Sequence, residues 1–223
     1  MLSRVLEPEV MDTQEEARDY DSMDHGHVNR VFVDDMLAAM PELADGTFTI
    51  LDLGTGTAQI PIELCSRAAQ FRVHAADAAA AMLAVAAENV ARASLGDRIQ
   101  IEHVDAKRLA FADRSFAAVI SNSIIHHIPE PRTVIAEAVR VVESGGLLFF
   151  RDLLRPADRP TLDLLVDTYA AGANEHQRRM FAESLHAALS LEEIQSLVAE
   201  FGFARDTVRA SSDRHWTWIA RRE

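Results

Sequence analysis

The chain has 223 residues, room for one large domain with a full core or two small ones, and its 48% hydrophobic and 26% charged residues are ordinary for a globular protein. A net charge of −13 repels phosphate backbones and argues against a nucleic-acid substrate. Cys65 is the only cysteine, which excludes an intrachain disulfide and a multi-cysteine metal site; no apolar run reaches membrane-spanning length, and "MLSRVLEPEV" has no apolar core of signal-peptide length.

A cytoplasmic protein is therefore expected. Its basic side is almost all arginine, with Lys107 the only lysine. Together with the alanine richness, this reads as composition bias of a bacterial source rather than as function.

Residues 7–20 read as acidic and helical. "HVNRVFVDDMLAAM" (27–40) places Val28, Val31, Phe32, Met36 and Leu37 near helical spacing, and Pro41 and Asp45-Gly46 break it. Strands and helices then alternate. "TFTILDL" predicts a strand and "AQIPIELCSRAA" a helix; "FRVHAA" predicts a strand and "AAAMLAVAAENVARA" a helix. "RIQIEHV" is the third strand, followed by a turn around "AKRLAF". "FAAVIS" is the fourth strand, "PRTVIAEAVRVV" the next helix, and Ser144-Gly145-Gly146 turns into the strand "LLFFRDL". This rhythm predicts a parallel sheet with helices on both faces.

From 156 to 189 the pattern is helical but loose. "SLEEIQSLVAEFGF" is a capped helix with Ser190 as N-cap, Glu193 at N3 and Gly202 as the stop. "ARDTVRASS" and "RHWTWIARR" close the chain as a hairpin. No repeat or linker interrupts it, which predicts a single domain.

The stretch "ILDLGTGTAQIPIEL" (50–64) has a glycine turn between strand and helix, yet Gln59 stands where a dinucleotide fingerprint has its third glycine, and no phosphate-loop Gly-Lys-Ser/Thr follows. In an open parallel sheet, ligands bind beyond the carboxyl ends of the strands where the winding reverses. Gly54 and Gly56 fall at that spot and let a backbone touch a ligand. A ligand with an anionic end but no phosphate fits, and S-adenosylmethionine is one. Asp77, Asp105-Ala106 and Ser121-Asn122 put polar groups at the next three strand ends.

The segments "LDLGTGTAQIPIEL", "HAADAAAAML", "EHVDAKRLAFADRSFAAVISNSIIHHIPEPRTVIAEAVRVVESGG" and "FFRDLLRP" together resemble the class I S-adenosylmethionine-dependent methyltransferases, closest to the small-molecule and quinone-biosynthesis branch. The resemblance covers residues 48 to about 156, and the hairpin ending at "WTWIA" matches the last two strands of that family. It implies an α/β, Rossmann-like, doubly wound fold: a seven-stranded, mostly parallel sheet with a C-terminal antiparallel hairpin. Around one methyltransferase domain it implies an N-terminal helical cover (1–45), a cofactor-binding core (46–155), a helical insert or lid (156–189), and a last helix with the hairpin (190–223).

By position, the resemblance puts Asp52, Gly54, Thr55 and Gly56 at the methionine end of S-adenosylmethionine and Asp77 on the ribose. Ala78 and Met82 fall around the adenine, Asp105 and Ala106 at its edge, and Asn122 beside the sulfonium. Phe116-Ala117 replaces the family's Phe-Asp, and Ser144-Gly145-Gly146 its Pro-Gly-Gly. Asp52 has two readings, one as a ligand contact and one as a carboxylate that orders the glycine loop through backbone N–H bonds.

The resemblance implies methyl transfer to a small-molecule acceptor, with no nucleic acid, no membrane insertion and room for a homodimer. Two alternatives stay open at this point: a methyltransferase acting on protein or RNA, and a non-catalytic protein of the same fold. His126 and His127 follow the fourth strand near the acceptor position, and neighbouring residues in a turn point different ways, so one of them at most is expected to face the pocket. His25, with Tyr20, lies in the segment that covers the cofactor in the family. Each of His126, His127 and His25 is a candidate general base, or a histidine that fastens its loop. "HGH" and "HH" lack a carboxylate–histidine spacing on one helix, so no metal is expected. Arg151, Arg155, Arg178 and Arg179 read as a solvated face before they read as an anion clamp, and Asp152 is the better pocket candidate.

Overall fold

The computed structural model describes residues 2–8, 12–23, 25–40 and 46–223. The N-terminal helices are α1 (Gln14–Ser22) and α2 (Gly26–Ala38). They are followed by β1 (Phe48–Leu53), α3 (Gln59–Arg67), β2 (Phe71–Asp77), α4 (Ala80–Arg92), β3 (Ile99–His103) and β4 (Phe116–Asn122). A 3₁₀ turn at Ile125–His127 leads to α5 (Pro131–Val141) and β5 (Val142–Leu153). Next come α6 (Arg159–Tyr169), α7 (Glu175–Ala187), α8 (Leu191–Ala199), β6 (Val208–Ala210) and β7 (His215–Arg221).

The seven strands form one sheet in the order β3-β2-β1-β4-β5-β7-β6. β1 pairs in parallel with β2 and with β4, β2 pairs in parallel with β3, and β6 and β7 are antiparallel. β1 therefore runs between two neighbours, and its last four residues are all buried. That suits a near-continuous apolar run, as expected of a parallel strand covered on both faces, and makes buried Asp52 the exception in need of an explanation. The winding reverses between β1 and β4, whose ends meet at the Leu53–Ser121 register, so the ligand crevice of such a sheet opens there.

The described residues cluster into two compact units, one within Val10–Asn122, Thr133–Phe150 and Ile219–Glu223, the other within Met1–Glu9, Ser123–Arg132 and Arg151–Trp218. In the first, Ile50, Leu64, Phe71, Val73 and Ile120 form a core with Phe32 and Phe149, whose rings meet edge to face at 4.9 Å. In the second, Leu153, Leu162, Leu165, Val166 and Leu185 pack together, and Trp216 and Trp218 are fully buried.

Three local expectations need adjustment. The first helix starts at Gln14, because Thr13 and Glu16 make a capping box there; Glu7 and Pro8 are not helical, and residues 9–11 lie outside the described residues. The second helix buries Asn29, Phe32, Val33 and Met36, while Val31 faces out. That is the i, i+3, i+4, i+7 face, which keeps Phe32 and Met36 of the expected apolar set and adds Asn29 and Val33. Pro41 and Asp45 lie outside the described residues. Ser144-Gly145-Gly146 lies inside β5 rather than before it, because Gly145 donates to the Arg222 carbonyl and Arg222 donates to that of Gly146. Ser190 caps α8 in a capping box with Glu193, and Gly202 follows at φ +86°, both as read. Among the described residues, no helix is long and apolar enough to cross a membrane.

Candidate active site

The glycine turn is held from two directions. Gly54 and Gly56 adopt φ of 70° and 56°, a left-handed backbone that glycine takes without penalty. The Gly54 and Thr55 amides both donate to the Ala76 carbonyl, at 2.9 and 3.0 Å. The Gly56 amide donates to Asp77 Oδ2 at 2.8 Å, and the Ala79 amide to Asp77 Oδ1 at 2.9 Å. A carboxylate at the end of β2 thus ties the loop after β1 to the loop after its own strand. This is the loop-ordering role the sequence left open for Asp52, and it falls to Asp77.

Asp52 does something else. It is 2% exposed, and its Oδ2 has no hydrogen-bond partner among the described residues. Burial pushes its carboxyl up to about 7; the Thr55 hydroxyl pulls the other way without meeting hydrogen-bond geometry, and the Asp77 charge adds to the rise. Asp52, Gly54, Thr55, Asn122 and Tyr20 line one pocket. Thr55 Oγ1 and Asn122 Oδ1 are likewise buried without a hydrogen-bond partner. Thr57 Oγ1 on the same pocket is a fourth, and four orphaned oxygens around one small cavity ask for a ligand that brings donors, since a buried acceptor left unpaired costs about 1–3 kcal/mol. Burial and the carboxylates of Asp77, Asp52 and Asp21 hold the Tyr20 phenol up at about 12, so it stays protonated.

Gln59, in place of a third glycine, works as a crosslink. Its Oε1 accepts from Asn29 Nδ2 at 3.1 Å and its Nε2 donates to Asp21 Oδ1 at 3.1 Å; Asn89 Nδ2 donates to the same oxygen at 2.8 Å. Burial opposes the charge on Asp21, but the bonds from Gln59 and Asn89, with the nearby Thr57 hydroxyl acting in the same sense, keep its pKa below the ordinary value. Four helices, α1 to α4, are joined through this network, and it fixes Tyr20 beside the glycine turn: a Cβ on Gly56 would stand 3.6 Å from Tyr20 Cε1. Asn29, Thr57 and Gln59 line the same pocket as Asp52. None of the three carries a local signal of ligand contact in the sequence, where Gln59 stands out only as the departure from the dinucleotide fingerprint.

Ala78 is exposed, while Met82 is buried in a small cluster with Ala17, Ala79 and Val85, against which Tyr20 packs. Asp105 lies two residues beyond the end of β3, is exposed, and accepts from the Lys107 amide at 2.9 Å; Ala106 is buried. His25 N-caps α2 without a side-chain bond to the helix, and its ring lies 4.6 Å from that of Tyr20.

In the second unit, His126 and His127 form the 3₁₀ turn that Asp152 caps. Asp152 Oδ2 accepts from the Ile125 amide at 2.5 Å and the His126 amide at 3.4 Å, and its Oδ1 lies 2.5 Å from His126 Nδ1 and accepts from the Leu153 amide at 2.6 Å. The two rings do not diverge as expected. Their centroids are 4.2 Å apart, and His126 Nε2 and His127 Nδ1 lie 3.4 and 3.2 Å from Glu7 Oε1. Burial alone would lower the pKa of His126, but Asp152 outweighs it and raises it; burial and the neighbouring His126 push His127 down to about 4. The arginines are engaged locally: Arg151 donates to Thr217 Oγ1, Arg155 pairs with Glu193, Arg178 pairs with Asp167, and Arg179 lies 3.0 Å from His176 Nδ1.

The strand order 3-2-1-4-5-7-6, the glycine turn after β1 and the carboxylate ending β2 define a Rossmann-like fold whose crevice opens at the carboxyl ends of β1 and β4. Residues 50–146 match the family described as methyltransferase domain. This match and the relatives below support a class I S-adenosylmethionine-dependent methyltransferase of the small-molecule branch, and the chain is an enzyme. It is 27% identical to the ubiquinone/menaquinone biosynthesis C-methyltransferase UbiE of Agrobacterium fabrum, over 86% of this chain and 79% of that one. It is 28% identical to the 27-O-demethylrifamycin SV methyltransferase of Amycolatopsis mediterranei, over 84% and 66%. The plantazolicin methyltransferase BpumL, solved with a monoazolic desmethylPZN analog and SAH, shares the fold at a TM-score of 0.72 and 11% identity, over 93% and 89% of the two chains.

Proposed function

We propose that this enzyme transfers the methyl group of S-adenosylmethionine to a small organic acceptor, with the cofactor held by the pocket at the end of β1. The observation that carries the reading is the buried carboxylate of Asp52, whose partnerless oxygen faces a cavity shared with Thr55 and Asn122. That donor set fits S-adenosylmethionine, whose ammonium supplies the missing donors and offsets the cost of a buried charge. Asp52, Gly54, Thr55 and Gly56 would hold the amino-acid end, Asp77 the ribose hydroxyls, Ala78, Met82, Asp105 and Ala106 the adenine, and Asn122 and Tyr20 the region around the sulfur. When bound, the cofactor supplies a methyl carbon open to direct in-line displacement. The protein's part is then alignment and exclusion of water, and for an acidic acceptor one base.

Among His126, His127 and His25, we propose His126 as the base, because its Nδ1 is engaged by Asp152. Asp152 holds its Nδ1 as the N–H, which leaves the Nε2 lone pair to take a proton. The two named relatives divide between a C-methyltransferase and a 27-O-demethylrifamycin methyltransferase, so they support a small organic acceptor and leave the methylated atom to experiment. The net charge of −13 speaks against RNA.

The reading is tested by incubating the protein with methyl-labelled S-adenosylmethionine and a panel of phenolic, quinol and polyketide acceptors, and following S-adenosylhomocysteine release. Acceptor-dependent release that is lost in Asp77→Ala supports it. Failure of the protein to bind S-adenosylhomocysteine at all overturns it.

A further inference from the structure

Methyl transfer makes no use of the carboxylate that faces the two histidines. Glu7 Oε1 lies 3.4 Å from His126 Nε2 and 3.2 Å from His127 Nδ1, and all three atoms lie within 4.8 Å of one another. Glu7 Oε1 and His127 Nδ1 are buried and have no hydrogen-bond partner among the described residues. Two of the three groups are anchored from outside: His126 Nδ1 lies 2.5 Å from Asp152 Oδ1, and Ser184 Oγ donates to Glu7 Oε2 at 3.1 Å. With its N–H given to Asp152, the His126 imidazole turns its Nε2 lone pair on the Glu7 carboxylate oxygen, and His127 turns its unpartnered Nδ1 on the same atom. Three electron-pair donors then share a space with no proton assigned to it.

We propose that Glu7, His126 and His127 form a site for a divalent cation of the zinc type. Nitrogen and oxygen ligands at about 2.0–2.2 Å in a tetrahedral arrangement stand roughly 3.3–3.5 Å apart, close to the two spacings seen here. The outer bonds are the usual complement of such a site: a carboxylate on one histidine and a hydroxyl on the ligating carboxylate. Asp152 is then a positioning residue for His126, not a ligand. Three protein ligands leave a fourth position for water or an oxygen atom of a small molecule, as in catalytic rather than structural zinc sites.

The nearest opposing charge, Arg4, is committed to the carbonyls of His126 at 3.2 Å, Ile128 at 2.9 Å and Ala187 at 2.6 Å. The His127 side chain is 18% exposed, which gives an ion access. Metal binding and proton uptake use the same Nε2 lone pair, so His126 serves as a base only in the metal-free chain.

The experiment is metal analysis of the full chain, stripped with chelator and reloaded with Zn²⁺ or Co²⁺. The expected result is one tightly bound ion per chain, a four-coordinate Co²⁺ visible spectrum, and an X-ray absorption signature of two imidazoles with oxygen. Glu7→Gln and His127→Ala should weaken zinc at least tenfold, and Asp152→Asn by about 10–100-fold, the range for outer-shell partners. Circular dichroism reports whether each variant folds. If one does not, the stoichiometry and the absorption signature of the wild-type protein decide alone. Less than stoichiometric binding by the folded wild-type protein, or an affinity unchanged in folded Glu7→Gln and His127→Ala, overturns the proposal.

Discussion

The Gly56 amide donates to Asp77 Oδ2 at 2.8 Å, so the residue expected to hold the ribose already organises the glycine turn. Removing that carboxylate frees the Gly56 and Ala79 amides as well as the ribose hydroxyls. Asp77→Ala should weaken S-adenosylhomocysteine by about 1–3 kcal/mol, on the scale of one unpaired buried group, and by more if the turn loosens. Titration calorimetry checks it, and unchanged affinity would remove Asp77 from the site.

Asp52 predicts a pH dependence whose sign is fixed by its surroundings. Its carboxyl titrates at about 7 in the folded chain against an ordinary 3.8, with Asp77 and the Tyr20 phenol as neighbours. A raised carboxyl favours the protonated form. Its contribution to stability is therefore present below pH 3.8 and lost as pH rises through 7, up to roughly 4 kcal/mol at about 1.4 kcal/mol per pKa unit. An ammonium in the pocket reverses the preference, so S-adenosylhomocysteine should bind more tightly as pH rises from 6 to about 7.5, with proton release at the low end. Melting curves and calorimetry on wild type and Asp52→Asn from pH 5 to 8 read both effects. Parallel curves for the two proteins would rule out Asp52 as their source.

Asp21 tests the cover. Asp21→Ala leaves Gln59 Nε2 and Asn89 Nδ2 without their shared acceptor, at a cost of about 1–3 kcal/mol. Backbone amides of α1 and α2 should exchange faster, and S-adenosylhomocysteine should protect residues 15–30 less than in wild type. Identical exchange in the two proteins would show that the network does not hold these helices.

Asp152 is 1% exposed and serves one imidazole and three backbone amides. Asp152→Ala should destabilise the chain by about 3–5 kcal/mol, the scale for removing one partner of a buried pair. Denaturant unfolding measures it, and a loss below about 1 kcal/mol, typical of an exposed pair, would contradict this account of the turn.

The core of the fold was legible because its signals are local. The run Ile50–Leu53 reads as a buried strand, Gly54 and Gly56 as a turn, and Ser190 with Glu193 as a helix start, and each was found there. Asp77 was picked out as a strand-end carboxylate, but its bond to Gly56 depends on the β1–β2 pairing, which periodicity cannot supply. Gln59 was visible only as a missing glycine, since its partners Asn29 and Asp21 lie on helices brought in by tertiary packing. Glu7 was hidden for the same reason. It reads as one acid in an acidic helical stretch, whereas the capping box at Thr13 starts the helix later and leaves Glu7 in a non-helical segment beside the two histidines.

The most direct test of the cofactor assignment is a crystal structure with S-adenosylhomocysteine bound. Its ammonium should lie against Asp52 and its carboxylate by the turn Gly54–Gly56. The ribose hydroxyls should lie on Asp77, the adenine between Met82 and Asp105–Ala106, and the sulfur beside Asn122. A ligand seated with Asp52 and Asp77 both out of contact, or a protein that takes up none at saturating concentration, would contradict it.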